Sequence, residues 1–206
     1  MKAALAETCW QMLASHTPSE ITMAALSQQC DVSETQAVLH AGDVTNLILY
    51  QLDSLDDEAL QSSFSDFADD PDASVYEKLL EGLIMRFEVL APSRAQLHNL
   101  HQEANKNPLL VAHCLHQLSH TIGRLLYLAG DETTGLLKQL RVAGVVGVLM
   151  RVRSVWLDDD SADLGLTIKK LDDELKKACE WAVTLRVLRA DEVTPDAKGS
   201  GVSGDE

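Results

Sequence analysis

"TMAALSQQCDVSETQAVLHAGDVTNL", residues 22–47, holds two short apolar-periodic stretches on either side of a break. "ITMAALSQQC" predicts one short helix. "DVS" then turns the chain, and Ser33 is placed to cap the next helix by accepting a backbone amide hydrogen bond. Asp31 heads that turn, and Asp tolerates a left-handed backbone better than most residues. "HAGD" breaks the second helix, and a longer one is expected through Leu47–Leu60. Val32, Val38, Leu39 and Leu47 are expected to pack this region together. Cations are missing: between Met1 and Glu77 the only Lys or Arg is Lys2, against fourteen Asp and Glu.

Outward from this stretch the pattern stays helical. "ALAETCWQMLASH" puts Leu5, Cys9 and Leu13 on one face, and Pro18 ends it, because the residue before a proline avoids helical geometry. "SDFADDPDAS" (65–74) is acidic, contains Pro71, and reads as a loop. Beyond it, "YEKLLEGLIMRFEVLA" stripes Leu80, Leu83, Phe87 and Leu90 before Pro92 stops it. A helix from Pro108 to Ala129 carries two opposed stripes. Val111, Leu115, Leu118, Ile122, Leu125 and Ala129 lie on one side; His113, His116, His120, Arg124 and Tyr127 lie on the other. "GD" at 130–131 ends it, and Thr133–Leu157 forms the next helix. Ser161 is placed to cap the last long helix, expected to reach Arg189. Its stripe of Leu164, Ile168, Leu171, Leu175, Ala178, Ala182 and Leu185 alternates spacings of four and three like a coiled-coil seam. "DEVTPDAKGSGVSGDE" is polar and rich in Gly and Ser, and disorder is expected there.

The expectation is therefore an all-α chain without internal repeats. A three-helix head spans 1–60, an acidic linker 61–75, a helical body 76–190 and a disordered tail 191–206.

Net charge is −15, unevenly spread: −13 over residues 1–77, +2 over 78–190 and −4 over 191–206. An acidic surface repels phosphate backbones and anionic headgroups. Apolar content of 46% is enough for a sizeable core. Cys9, Cys30, Cys114 and Cys179 show no metal spacing, and scattered thiols suit a reducing compartment. Met1–Ala14 lacks a continuous apolar run, and "VAGVVGVLM" (142–150) falls far short of the roughly 20 residues that cross a bilayer. A cytoplasmic location is expected.

The order of elements resembles the TetR family of repressors, in which a three-helix DNA-binding head precedes a ligand-binding, dimer-forming helical body. Met23, Leu26 and Ser27 fall at that family's core and small packing positions, and Asp31-Val32-Ser33 stands for its Gly-Val-Ser turn. The departures lie where DNA contact is expected: Glu34 at an often basic position, Val38 for Tyr, Ala41 for Phe and Val44 for a phosphate-contacting Lys. "LIMRFEVLAPSRAQL", "AGDETTGLLKQLRVAG" and "RSVWLDDDSADLGLTIKKLDDEL" resemble the COQ9-like branch, accessory proteins of ubiquinone biosynthesis. That branch keeps the fold, does not bind DNA with it, and binds an isoprenoid lipid. The resemblance spans roughly residues 5–185.

Candidate chemistry is sparse. Non-specific DNA affinity comes from Lys and Arg displacing counterions. Ser33, Thr35, Gln36 and His40 could donate to DNA in a regulator, but they cannot offset the acidic repulsion. His113, His116 and His120 share a helix face as metal ligands sometimes do, yet a solvated polar face, or the polar wall of an internal pocket, explains them without metal. "DFADDPDASVYE" (66–77) has a calcium loop's length, but Pro71 replaces its sharp-turn glycine and Ala68 a ligand. "LDDDS" (157–161) is better read as acidic residues at a helix start, favoured by the helix dipole, than as an acid–base cluster. No nucleophile–base pair, phosphate loop, cofactor motif or metal site is expected, so the expected role is non-enzymatic.

Apolar side chains remain as the functional candidates. By the resemblance, Leu83, Phe87, Leu118, Ile122, Leu126, Val145, Leu149 and Trp156 would enclose an isoprenoid or quinone-type tail, with His116, His120 and Tyr127 orienting its head. Ala143 and Gly147, with Leu164, Ile168, Leu171, Leu175, Ala178 and Ala182, would form a homodimer interface. Lys169, Lys170, Lys176, Lys177, Arg186 and Arg189, with Trp181, offer a peripheral membrane contact, although the seam argues more for protein contact. The alternatives are a ligand-responsive transcriptional regulator and a silent partner whose acidic head docks a basic protein.

Overall fold

Capping side chains set the boundaries of the first helices. In the computed structural model, which describes residues 1–184 apart from 105 and 162, α1 is Lys2–Leu13, α2 Met23–Gln29 and α3 Glu34–Ala41. Thr22 Oγ1 accepts from Ala25 N at 3.2 Å and starts α2. Ser33 Oγ accepts from Gln36 N while Gln36 Oε1 accepts from Ser33 N, a reciprocal box that starts α3. Asp31 between them has φ 53°, the left-handed geometry its short polar side chain tolerates.

The remaining elements are α4 (Val44–Asp69), α5 (Val75–Leu90), α6 (Arg94–Glu103), α7 (Pro108–Leu128), α8 (Gly135–Asp158) and α9 (Gly165–Thr184). No strand occurs among the described residues, so the chain is all-α. α4 runs to Asp69, which makes the first half of the acidic segment helix rather than loop. Its N-terminal cap is Asp43, whose Oδ1 accepts from Asn46 N, and no proline intervenes before Pro71. The expected tail 191–206, with Leu185, Arg186 and Arg189, lies outside the described residues.

The chain divides into two compact units, and the division cuts through α4, α5 and α7 rather than falling at a linker. Unit 1 comprises residues 1–62 and 85–121. Its core is Leu5, Cys9, Trp10 and Leu13 of α1, Leu26 of α2, Ala37 and Ala41 of α3, and Leu47, Ile48 and Leu52 of α4. Ala37 and Ala41 sit four apart, so α3 approaches the core on its small-residue side. That places Val38 and Leu39 outward: both are exposed, contrary to the packing role expected of them, while Leu47 is buried and Val32 packs against the core. Polar ties finish the unit: Trp10 Nε1 donates to Ser93 Oγ, Asn99 Nδ2 to Leu13 O, and Gln117 Nε2 to Leu49 O.

Unit 2 comprises residues 63–84 and everything described from 122 onward. α8 and α9 pack against each other more extensively than any other helix pair. Val145, Val148, Leu149, Val152 and Trp156 of α8, with Leu171 and Leu175 of α9, are buried there. Gly82 of α5 lets α7 come close, since a Cβ at that position would overlap the Leu125 side chain. Asp159, not Ser161, organises the start of α9. It is buried and accepts from the Thr167 backbone amide at 2.9 Å, from Thr167 Oγ1 at 2.7 Å, and from Ser161. A carboxylate from "LDDDS" thus meets a first-turn amide of α9, as the dipole argument anticipates. No helix among the described residues is long and apolar enough to cross a membrane.

Candidate functional site

A cavity of about 640 Å³ opens within unit 2, and its polar wall is built by the end of α7. Gly130, at φ 94°, terminates that helix; its amide donates to Tyr127 O, and the Asp131 amide donates to Leu126 O. These two bonds are the closure by which a left-handed glycine satisfies the last carbonyls of a helix. They set Asp131 against the cavity, beside Thr133 and opposite Arg141 of α8. Val75 and Leu79 of α5, Leu126 of α7, Leu140, Gly144 and Val145 of α8, and Leu175 and Ala178 of α9 make the rest of the wall largely apolar.

Asp131 is the charged centre of this wall. Its Oδ1 takes three donors: Thr133 N at 2.9 Å, Thr133 Oγ1 at 2.6 Å and Arg141 Nη1 at 2.8 Å. Its Oδ2 is buried and has no hydrogen-bond partner. Burial pushes this carboxyl up, but the Thr133 hydrogen bonds and the Arg141 guanidinium outweigh that and hold it below the usual carboxylate range. It is therefore ionised at neutral pH and an acceptor only. Tyr76 also lines the cavity; its O–H donates to Asp172 Oδ1 at 2.8 Å. Burial and that carboxylate raise the Tyr76 pKa, so the phenol stays protonated. Cys179 lines the cavity as a thiol, its pKa raised chiefly by burial. Among the described residues the wall is thus largely aliphatic, with the Asp131–Arg141 ion pair set into it.

Of the residues expected to enclose a ligand, Leu126 and Val145 line this cavity. Leu83, Ile122, Leu149 and Trp156 are buried in the packing of unit 2 and are absent from the cavity wall. Phe87 and Leu118 belong to unit 1. His116, His120 and Tyr127 stand on the exposed face of α7, with Tyr127 72% exposed, so the stripe opposite the apolar one faces solvent rather than a ligand head. Asp131, Thr133, Arg141, Tyr76 and Cys179 are additions of the structure. The only sequence signal for them was the "AGD" helix stop, because Asp131 and Arg141 meet across a turn that periodicity does not describe.

The expected interface residues fall into two groups. Leu164, Leu171 and Leu175 are buried within the single chain, and Ile168, Ala178 and Ala182 are half-buried, so the α9 seam is spent largely on packing inside unit 2. Ala143 is exposed and Gly147 half-buried, on a face of α8 that also presents exposed Leu136, Leu140 and Met150. On α9, Trp181 is 69% exposed, but Lys170 and Lys177 pair with Glu174 and Lys176 with Asp172. These pairs leave α9 little free positive charge among the described residues for an anionic membrane. In the head, Ser33, Thr35, Gln36 and His40 are all exposed, with Ser33 and Gln36 already bonded to each other in the α3 cap. No protein-family model and no curated protein matches the chain.

Proposed function

We propose that this chain is a non-enzymatic, TetR-like binding protein that holds an apolar ligand in unit 2 and does not bind DNA with its head. The cavity of about 640 Å³ carries this proposal: its size lies within the range of small-molecule sites, and its wall is mostly aliphatic. Burial of a hydrocarbon tail supplies the affinity, and the Asp131–Arg141 pair supplies orientation. An isoprenoid or other lipid tail, in an accessory role like that of the ubiquinone-biosynthesis branch, fits such a chamber. Mass spectrometry of organic extracts from freshly purified protein tests this. A stoichiometric lipid is the expected result, and repeated recovery of empty protein that also fails to take up apolar probes would overturn it.

The head argues against the regulator alternative on charge. α3 carries Glu34 and no Lys or Arg, and its exposed Leu39 and Val38 have nothing to offer a phosphate. A tight gel shift on any duplex at low salt would reverse this conclusion.

Self-association is part of the proposal, with its seam moved from α9 to α8. Leu136, Leu140, Ala143, Gly147 and Met150 recur at spacings of four and three along a partly exposed side of α8, with Gly147 half-buried and Leu140 at the cavity wall. Two copies crossing on this small-residue stripe would form an isologous interface. Light scattering should give the mass of a dimer, and Ala143→Arg should give a monomer with an unchanged far-ultraviolet spectrum.

A further inference from the structure

Unit 1 presents an outward helix face with an aliphatic centre and an acidic rim, and we propose that it docks a basic protein segment carrying an apolar anchor. This goes beyond the cavity of unit 2 and does not depend on it. Ala37 and Ala41 turn the inner side of α3 into the core, so Thr35 and Leu39, one turn apart, stand on the opposite side. Leu39 is 79% exposed and its neighbour Val38 45%. A single aliphatic side chain in water needs no account. What sets this pair apart is the charge around it.

Asp31 and Glu34 lie at the start of α3 and Asp43 just beyond its end, all three exposed. Glu34 is one turn from Val38, so acid and aliphatic share a flank. Unit 1 holds eleven Asp and Glu against Lys2, Arg86, Arg94 and Lys106. Arg86 pairs with the buried Asp56, Lys106 with Glu103, and Lys2 lies over the Tyr50 ring, 4.9 Å from its centroid. α3 itself brings no Lys or Arg. This combination selects what can cover the face. Phosphate backbones and anionic headgroups are repelled. A second copy offering the same face across a two-fold axis would set like charges against each other. A Lys- or Arg-bearing segment with an aliphatic or aromatic side chain satisfies both halves. Its anchor covers Val38 and Leu39, and its cations meet Asp31, Glu34 and Asp43 at the rim, where charge governs encounter and salt dependence.

The test uses the full chain and three labelled synthetic peptides of one length, titrated by fluorescence anisotropy at neutral pH. One is a Lys–Leu peptide patterned as an amphipathic helix; in the second every Leu is Ser, and in the third every Lys is Glu. The Lys–Leu peptide should bind tightest. Equal binding of the Lys–Ser peptide would overturn the apolar anchor, and equal binding of the Glu–Leu peptide would overturn the charge selection. Val38→Ser with Leu39→Ser, both at exposed positions, should weaken the Lys–Leu peptide about tenfold. Asp31→Asn, Glu34→Gln and Asp43→Asn together should weaken it about fivefold in about 0.05 M salt, the gap closing as salt rises. Asn suits both loop positions: it tolerates the left-handed backbone at 31 and can cap α4 at 43. Asp72→Asn, Asp158→Asn and Asp173→Asn remove the same charge from exposed positions of unit 2 and should change binding less than about twofold. If this control triple matches the α3 triple, the peptide reads only the net charge of the chain and the docking face is overturned. No binding of the Lys–Leu peptide, or full binding by the Val38→Ser, Leu39→Ser protein, overturns it as well. Neither result bears on the unit 2 cavity.

Discussion

Asp56 in unit 1 and Asp131 in unit 2 are near twins in chemistry. Each side chain is almost fully buried, at 3% and 2% exposure, and each pairs with a mostly buried Arg at 2.8 Å. They differ in the second oxygen. Asp56 Oδ1 accepts from Arg86 Nε and its Oδ2 from Thr121 Oγ1 at 2.9 Å, so both ends are partnered within the unit. Asp131 spends three donors on one oxygen and leaves the other without any. A fully partnered carboxylate closes a core. Asp131, on the cavity wall of unit 2, is only half-partnered, and that difference sets the two ion pairs apart.

Asn substitution at the two sites should break the twins apart, and the effect at Asp56 is the largest expected. An amide there presents an NH2 group to one of two donors and leaves Arg86 without its counter-charge. Disrupting a buried pair in this way costs about 3–5 kcal/mol. Asp131→Asn keeps an oxygen toward Thr133, and its NH2 can occupy the side where Oδ2 has no donor to clash with. Its cost in urea unfolding should be about 1–2 kcal/mol. Equal losses at the two positions would mean that the spare oxygen of Asp131 has no energetic meaning.

Gly82 offers a second, smaller probe of packed against open wall. Gly82→Ala must push the Leu125 side chain aside where α5 and α7 meet, and overpacking of this kind costs about 1–3 kcal/mol. A thermal melt should fall accordingly. An unchanged melting temperature would show that the α5–α7 contact has slack.

Acid should separate the carboxylates of unit 2 by pH. Ser161 and Thr167 donate to Asp159 and hold its carboxyl well below the ordinary Asp range. The sign follows from linkage: a depressed folded pKa gives stability that is present above the unfolded value, near 3.9, and is lost as pH falls through the folded one. Asp159→Asn should therefore be less stable than the parent at neutral pH, and the gap should narrow as pH drops below about 4. A gap independent of pH would mean that the loop needs the shape of Asp159 and not its charge.

How much of this was visible in the sequence depends on the range of the contact that decides it. Local rules carried the turn at Asp31, the Ser33 cap, the stop at Gly130–Asp131 and the two-sided striping of α7, though not which way its polar side faces, because each rests on residues within a few positions. The α9 seam was legible as a pattern but not as a destination. A four–three stripe fits a second chain or a neighbouring helix equally, and α8 took most of it. The linker at 65–74 failed halfway because acidity alone does not end a helix, and α4 continues to Asp69 before Pro71. The cavity was not legible at all beyond Leu126 and Val145. Its wall gathers α5, α7, α8 and α9, and a void is the part of a packing pattern that periodicity omits.

The smallest expected effect is also the cleanest reading of an open wall. Gly144 lies inside α8, where glycine costs helix stability relative to alanine, and an added Cβ meets nothing within 4 Å. Gly144→Ala should therefore stabilise the protein by about 0.5–1 kcal/mol, opposite in sign to Gly82→Ala in the same unit. Helix propensity favours both substitutions equally, so the difference between them isolates packing. If Gly144→Ala were instead destabilising, something would already occupy the space beside α8. A ligand carried through purification is one such occupant and a second copy on the α8 stripe is another. Repeating the melt after organic extraction, and again across a dilution series, tells the two apart: extraction restores the gain in the first case and dilution in the second.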